Sequence, residues 1–373
     1  MNYGILLNAY ATQGGIPYDK ISLVIAVGEL VYGIAQPLLG ILAMKKSNAF
    51  VLKIGLALLA LGFLTSSVVR NGIVLIFTFG ILLSGGTGAV CFGMIMGAVS
   101  PFIPKEKAAF ASGIVNASNG VISSVMSPVM QSFLTGFGIT KAMCLLSIPY
   151  FFVFPIAIFL GKIHRESKVQ AEKQSPAQSN NLSSIIKNTF CNKNYIFLCM
   201  GFFTCGFHMS LIQNHFFSQI ISYGIDEKVA VVAYTVFGIA TMAGDLLCGF
   251  LCSKVSLKNS LSLLYALRVI FVAFFVFLCP KNAATVLLFA TLTGLTGDAT
   301  VTPTSEIINR KFGAKKLAFL FGIVFVCHQI GAFASTALAG ILVELTHSYA
   351  TAWSADLFLC AFAAAVSFRI AKE

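Results

Sequence analysis

The chain has 373 residues, of which 57% are hydrophobic and only 10% charged, and its mean hydropathy is +0.88. Soluble domains carry about 25% charged residues, so a water-soluble globule is excluded. The net charge of +12 has to be read by position along the chain before it is taken as a nucleic-acid footprint.

A short apolar stretch, Asn2 to Tyr10, opens the chain. Apolar runs of membrane-spanning length follow at 21–43, 51–69, 73–102, 108–133 and 142–161. Residues 163–194 are polar, basic and rich in Ser, Asn and Gln, which predicts a cytoplasmic linker. Within it, Ser183 to Phe190 reads as a short interfacial helix with Ile185, Ile186 and Phe190 toward lipid. Six more runs occupy 195–222, 229–252, 260–279, 283–306, 317–344 and 350–370. All eleven must be helical, because lipid offers backbone groups no partner. The fold class expected is an all-α polytopic membrane protein. It has an N-terminal bundle at 1–162, the linker at 163–194 and a C-terminal bundle at 195–373. The ten cysteines lie mostly inside these runs, without framework or ligand spacing. They read as small buried hydrophobes rather than disulfides or metal ligands.

The two bundles repeat one another. Lys107 to Val115 reappears as Lys316 to Val324 with six of nine residues identical, a shift of 209. Gly40-Ile41-Leu42-Ala43-Met44-Lys45 echoes as Gly249-Phe250-Leu251-Cys252-Ser253-Lys254 at the same shift. Duplicated halves of several spans are the build of many secondary transporters. Taking 209 from Tyr195 gives −14, so the helix matching 195–222 should begin ahead of Met1. The expectation is a truncated first helix, from a start-site error or a shortened chain, rather than a genuine eleven-helix protein.

With the Lys45 loop placed in the cytoplasm and sides alternated, 19 of the 25 Lys and Arg fall on the cytoplasmic side. Lys20, Arg70, Lys141, Lys228 and Lys281 fall outside, and Arg268 lies within a span. This is the positive-inside asymmetry. The basic balance is therefore a signal of topology and lipid contact, and nucleic acid is not an expected partner.

Twelve spans in two homologous halves, joined by a basic linker, resemble the major facilitator superfamily. The family marks the loop after its second helix with a Gly-x-Leu-Ala-Asp-Arg-x-Gly-Arg-Arg pattern. Gly40-Ile41-Leu42-Ala43-Met44-Lys45-Lys46 stands in that place, with Met44 where the acid should be. The resemblance makes Gly40, Lys45, Lys46, Gly249 and Lys254 gate-loop residues, and neither loop has the acid that latches the gate. Proton-driven drug exporters carry an Arg four residues before a Gly-x-Gly in helix four and a Gly-Pro pair in helix five. Here Leu82 and Ser127-Pro128 occupy those places. The stretches Ala299 to Ser305 and Phe325 to Phe333 are similar to the bacterial monocarboxylate-porter-like branch. That implies a monomer of the bacterial inner membrane, with a small-molecule substrate and no cofactor.

Polar residues within spans are costly and so are candidates for function. Asp245 precedes Lys254 by nine residues and Arg268 follows Lys258 by ten, which puts both about 15 Å from the basic end. An Asp245–Arg268 ion pair is expected, either for charge coupling or merely to fix the hairpin. Asp298 precedes Arg310 by twelve residues and His328 follows Lys316 by twelve, both about 18 Å up and near the midplane. His208 lies slightly higher. A carboxylate and imidazoles at one depth can take up and release a proton, and hydrogen-bonded packing is the competing reading of each His. The 209 shift maps Asp245 onto Gln36 and His328 onto Asn119. The candidate substrate contacts are Gln36, Asn119, His208, Asp298, His328 and Gln329, and the candidate coupling residues are Asp245, Arg268 and Asp298. Glu29 and Glu306 are weaker candidates.

The sequence thus predicts a secondary transporter, and not an enzyme, that works by alternating access. Its solute is a small organic anion such as a monocarboxylate, with a proton as candidate coupled ion. Efflux of drugs or sugars is one alternative, and a non-transporting sensor or degenerate fragment is another. No nucleophile–base arrangement, metal-ligand spacing or Walker-type loop is present in the chain.

Overall fold

In the computed structural model, residues 3–91, 94–95, 108–171, 189–252, 255–312 and 314–370 are described. Those residues are helical nearly throughout. We number the helices α1 (Tyr3–Thr12), α2 (Tyr18–Lys45), α3 (Asn48–Val68), α4 (Gly72–Ala89), α5 (108–137), α6 (139–171), α7 (Lys193–Ser222), α8 (Glu227–Cys252), α9 (Leu257–Leu278), α10 (Ala283–Phe312), α11 (Ala314–Thr346) and α12 (Ala350–Phe368). Ten described stretches are long and apolar enough to cross a membrane. One of them, Gly120–Phe159, holds 40 residues and turns at Gly138, where φ is 71°. Counting α5 and α6 separately gives the eleven spans expected, with the ten-residue α1 before them.

Local chemistry starts and stops the helices. Ser47 accepts from Phe50 N at 3.1 Å ahead of α3, and Asn71 accepts from Ile73 N and Val74 N ahead of α4. Asn282 and Thr285 form a reciprocal capping box at the start of α10, so donors with no helical partner are satisfied. Among the described residues, four have positive φ: Gly15, Gly138, Gly224 and His347. Gly15 and Gly224 differ by 209, and so do Gly138 and His347. Helix starts keep the same register, Tyr18 with Glu227 and Asn48 with Leu257. The duplication is therefore written into the turns as well as the sequence. At the second site His347 holds φ at 52°, in the left-handed region that costs a side-chain-bearing residue free energy.

Three stretches differ from expectation or lie beyond the described residues. The polar linker was to begin at 163, but α6 continues through Ala171; Arg165, Glu166, Lys168 and Gln170 are good helix formers, and no Gly or Pro interrupts them. The interfacial helix expected at 183–190 falls almost entirely outside the described residues. Third, α10 is not one smooth rod. It runs to Thr296, passes through a tight 3₁₀ turn at Asp298–Thr300 and resumes at Val301. Gly297 sits at the break with ψ −85°.

The halves meet along α2 with α11 and α5 with α8. Glycine sets the closeness. A Cβ on Gly33 would stand 2.5 Å from Gln329 Cβ, and one on Gly120 would stand 2.7 Å from Gly238 O. Near the other end of the first pair, Gly340 lies against Ser22. Burial along α2 is lopsided: seven of the nine residues from Ile21 to Glu29 are buried, and none of the ten from Ile34 to Ala43 is. The halves are therefore pressed together toward the Asp19 end and less enclosed toward the basic, Lys46 end.

Small residues at such contacts let helices approach, and a methyl added there must push backbones apart. Gly238→Ala is expected to lower stability by about 1–3 kcal/mol, read as a lower thermal midpoint of the purified protein. Gly322→Ala, whose Cβ meets nothing within 4 Å, should not lower it. Equal midpoints for the two variants would contradict this packing.

Candidate functional site

Two polar clusters lie inside the helix bundle, one at the junction of the halves and one within the C-terminal half. The junction cluster centres on Glu29 of α2, which is 8% exposed. Opposite it, α7 opens into a π-helical segment, Leu211–His215, whose wider turn places Asn214 and His215 in the interior. Both are fully buried. Asn214 Nδ2 donates to Thr336 Oγ1 of α11 at 2.8 Å and to Glu29 Oε1 at 3.4 Å. Gln329 of α11, with its amide nitrogen turned toward Glu29, donates to Oε2 at 2.9 Å and to the Glu29 main-chain oxygen at 3.3 Å. Its amide also lies 3.3 Å from His328 Nδ1. The carboxylate of one half is thus held by two amides of the other.

A chain of hydrogen bonds closes the junction above Glu29. His215 Nε2 donates to Thr336 O at 3.0 Å, which leaves Nδ1 to accept from Tyr18 OH at 2.8 Å. Tyr349 OH then donates to Tyr18 OH at 3.0 Å. Because a carbonyl can only accept, the His215 tautomer and the direction of the chain follow. Below Glu29, His328 stacks on Phe325 with centroids 5.1 Å apart, and Phe325 meets Tyr32 of α2 edge-on at 5.9 Å. His328 lies within electrostatic reach of both Glu29 and Asp298, as does Tyr32. Glu29, Tyr32, Asp298, His328 and Gln329 therefore form one central group drawn from both halves.

The second cluster is sealed inside the C-terminal half. Arg268 of α9 is fully buried and does not reach Asp245. Its Nη2 donates to Thr296 O at 2.6 Å and Gly297 O at 2.7 Å, with Cys205 Sγ at 3.6 Å. The expected Asp245–Arg268 ion pair is thus corrected. The carbonyls at the break in α10 take the guanidinium instead, because the acceptors at a helix end are the ones left for side chains to satisfy. Asp245 instead lies within electrostatic reach of Asp298, and its Oδ1 has no hydrogen-bond partner. His208 of α7 does not face the junction either. Its Nδ1 lies 2.8 Å from Asp356 Oδ2 of α12, both side chains fully buried, and Cys360 Sγ donates to Asp356 Oδ1 at 3.6 Å.

Of the sequence-derived contacts, Asp298, His328 and Gln329 come together at the centre. Gln36 lies two turns below Glu29 on α2, its Nε2 buried and without a partner. Asn119 is on α5, but its side chain is outside the described residues, as is that of Lys45. Lys254 lies outside them altogether. Lys46 is exposed; a Cβ added at Gly40 would meet Met94 at 3.8 Å, and one added at Gly249 would meet nothing within 4 Å. Glu306 pairs with Arg310 one turn on, at 2.9 Å. Sequence reasoning passed over Asn214, His215, Thr336, Tyr18, Tyr349 and Asp356. The adjacent Asn214-His215 within an apolar run, and Asp356 as the one acid in 350–370, were the available signals.

Comparison with known proteins fits this geometry. The sequence profile of the Major Facilitator Superfamily matches residues 1–280 and 216–372. Monocarboxylate transporter 12 of Mus musculus is 21% identical over 93% of this chain and 75% of its own length. An uncharacterized MFS-type transporter of Bacillus subtilis is 23% identical over 88% of this chain and 80% of its own. The crystal structure of the E. coli fucose:proton symporter superposes with a TM-score of 0.64 at 15% identity, covering 100% of this chain and 95% of that one.

The junction cluster makes a prediction about stability. Glu29→Gln keeps an acceptor oxygen for Asn214 or Gln329, whereas Glu29→Leu removes both acceptors. Leaving a buried donor short of a partner costs about 1–3 kcal/mol. The Leu variant should therefore unfold at the lower temperature in a thermal scan, and the reverse order would count against these bonds.

Proposed function

The chain belongs to the Major Facilitator Superfamily and is a multi-pass membrane transporter, and on that footing we propose that it moves a small solute by alternating access with a proton as the coupled ion. The observation that carries this reading is Glu29, an acid buried where the two halves touch and, among the described residues, held by amides of the opposite half. Its two protonation states offer those amides different acceptors. Any proton taken or lost there changes the free energy of the junction, and by linkage the junction changes the affinity for the proton. Asp298 and His328, within reach of the same group, supply further sites for proton exchange.

The basic Lys46 end is assigned to the cytoplasm on the Lys and Arg asymmetry, and the membrane to the bacterial inner membrane. In that orientation the structure is closed outside by the chain from Tyr349 through Tyr18 to His215. The solute we assign is a small organic anion such as a monocarboxylate, carried together with its proton. The names of the relatives and the likeness of the α10 and α11 stretches support it. Gln36, with its unpartnered amide, Asn119, Gln329, His328 and Asp298 are the proposed contacts. Neither Arg268 nor His208, both enclosed in the C-terminal half, is proposed to touch the solute.

A second reading has its own support. Glu29, Asp298 and Asp245 make the centre acidic, and Arg268 is turned inward, onto Thr296 O and Gly297 O. An uncharged sugar or an amine suits such a centre, and efflux is its matching direction. Proteoliposomes separate the two. Counterflow is measured for monocarboxylates, sugars and amines, and accumulation is measured with and without a pH gradient. Carboxylate counterflow with pH-driven accumulation is the expected result. Sugar or amine counterflow alone selects the second reading, and silence across the panel removes both.

Coupling should be separable from solute exchange. Asp298→Asn and Glu29→Gln are expected to retain counterflow and to lose pH-driven accumulation by about tenfold or more, a difference of about 1.4 kcal/mol in coupling free energy. Unchanged pH-driven accumulation in both variants would end the proton assignment.

A further inference from the structure

Arg268 stands where a free cation would otherwise be expected. The break in α10 releases carbonyls at the C-terminal end of its first segment, the end that carries negative partial charge. Packing forces the break to be close-fitting, since Gly294 is pressed against Phe237 O and Ala240 Cβ of α8. Three main-chain oxygens around the break are met by side chains from other helices. Thr296 O and Gly297 O take Arg268 Nη2, and Ala299 O takes Cys248 Sγ at 3.2 Å. Cys205 Sγ lies 3.1 Å from Thr300 Oγ1. Asp298 is the residue in the middle of the segment thus clamped.

A buried guanidinium also needs an anion. Asp245 makes no ion pair with it. Asp356 is a fully buried carboxylate of the same half, and the field of Arg268 reaches the two groups that hold it, His208 and Cys360. His208 Nε2 has no partner. His208 Nδ1 lies 2.8 Å from Asp356 Oδ2, and Cys360 Sγ lies 3.6 Å from Oδ1. Both oxygens of the Asp356 carboxylate are thus held by groups that the field of Arg268 reaches.

We propose that Arg268 is a positioning residue, a tethered cation that clamps the broken helix and so fixes where Asp298 stands, with Asp356 as its counter-charge. The proposal rests on the reading of Asp298 as a site residue. It also assigns the unexpected pair on α7 and α12 a role at the site without contact to the solute.

The test replaces the tether with a free ion. Arg268→Gly should raise the half-saturation concentration in counterflow at least about tenfold while the maximal rate falls less than about threefold. Guanidinium chloride at millimolar concentration should recover both the affinity and the thermal midpoint of this variant. Potassium chloride should not, and wild type should respond to neither. A ligand that binds only the folded form raises the midpoint whether or not any solute is transported, so the thermal arm decides even if the panel of solutes is silent. An unaltered half-saturation concentration, or a lowered midpoint that guanidinium leaves unchanged, would overturn the positioning role. Should Arg268→Gly fail to accumulate, Arg268→Ala is read in the same way. The counter-charge is tested by Asp356→Asn, expected to lower the midpoint more alone than together with Arg268→Gly. Additive losses would overturn that part. If both Arg268 variants fail to accumulate even with guanidinium present during expression, the tethered-cation role is overturned in favour of a purely structural one.

Discussion

In lipid a backbone N–H or C=O has no partner but the chain itself, and the whole molecule is arranged around that constraint. Eleven spans meet it by being helical. Wherever the helix is interrupted inside the membrane, side chains of other helices must take over. The break at Gly297 is covered by Arg268 and two cysteines. The widened turn in α7 is covered by Tyr234, whose hydroxyl donates to Ile212 O at 2.6 Å and Gln213 O at 3.2 Å and accepts from Phe217 N. These two irregular segments carry candidate site residues, Asp298 in one and Asn214 with His215 in the other; the π-helical turns at Ile76–Leu83 and Phe274–Leu278 carry none. Irregular backbone is tolerated there because the interior of the protein, and not lipid, surrounds it.

Close approach of the helices is the second dependency. The contacts that join the halves are made at glycine, Gly33 beneath Gln329 and Gly120 against Gly238. Without the room at Gly33, Gln329 would not lie where its amide reaches Glu29. The polar junction is therefore a product of small residues some distance away from the acid they bring into contact.

Much of the fold was legible in the sequence, because hydropathy and the 209-residue echo report directly on burial and duplication. Helix starts at Tyr18 and Glu227 and the turns at Gly15 and Gly224 keep the register that two short motifs suggested. The site was legible only in part. Depth along a span can be counted, and Asp298 and His328, counted to one depth, lie within electrostatic reach of one another. The direction a side chain faces around the helix cannot be counted when every face is apolar, and this is why His208 reads as a substrate contact and Arg268 as the partner of Asp245. The pairing of Arg268 failed for a second reason. Its partners are main-chain oxygens exposed by a helix break, and a sequence does not display a break whose covering residues come from three other helices. Glu29 was underrated because its partners, Asn214 and Gln329, lie on the other half and carry no charge.

The depth of Glu29 has a consequence of another kind. It lies eleven residues into α2, about 16 Å from one face, and so within the electric field of an energised membrane. Moving one elementary charge across the whole bilayer is worth about 2.3 kcal/mol per 100 mV, and a group that changes sides from the middle feels a fraction of it. An ionised Glu29 makes any rearrangement that re-exposes it sensitive to voltage. A protonated one is transparent to the field, so the proton that alters its hydrogen bonds also determines whether the membrane potential can work on the protein at that residue.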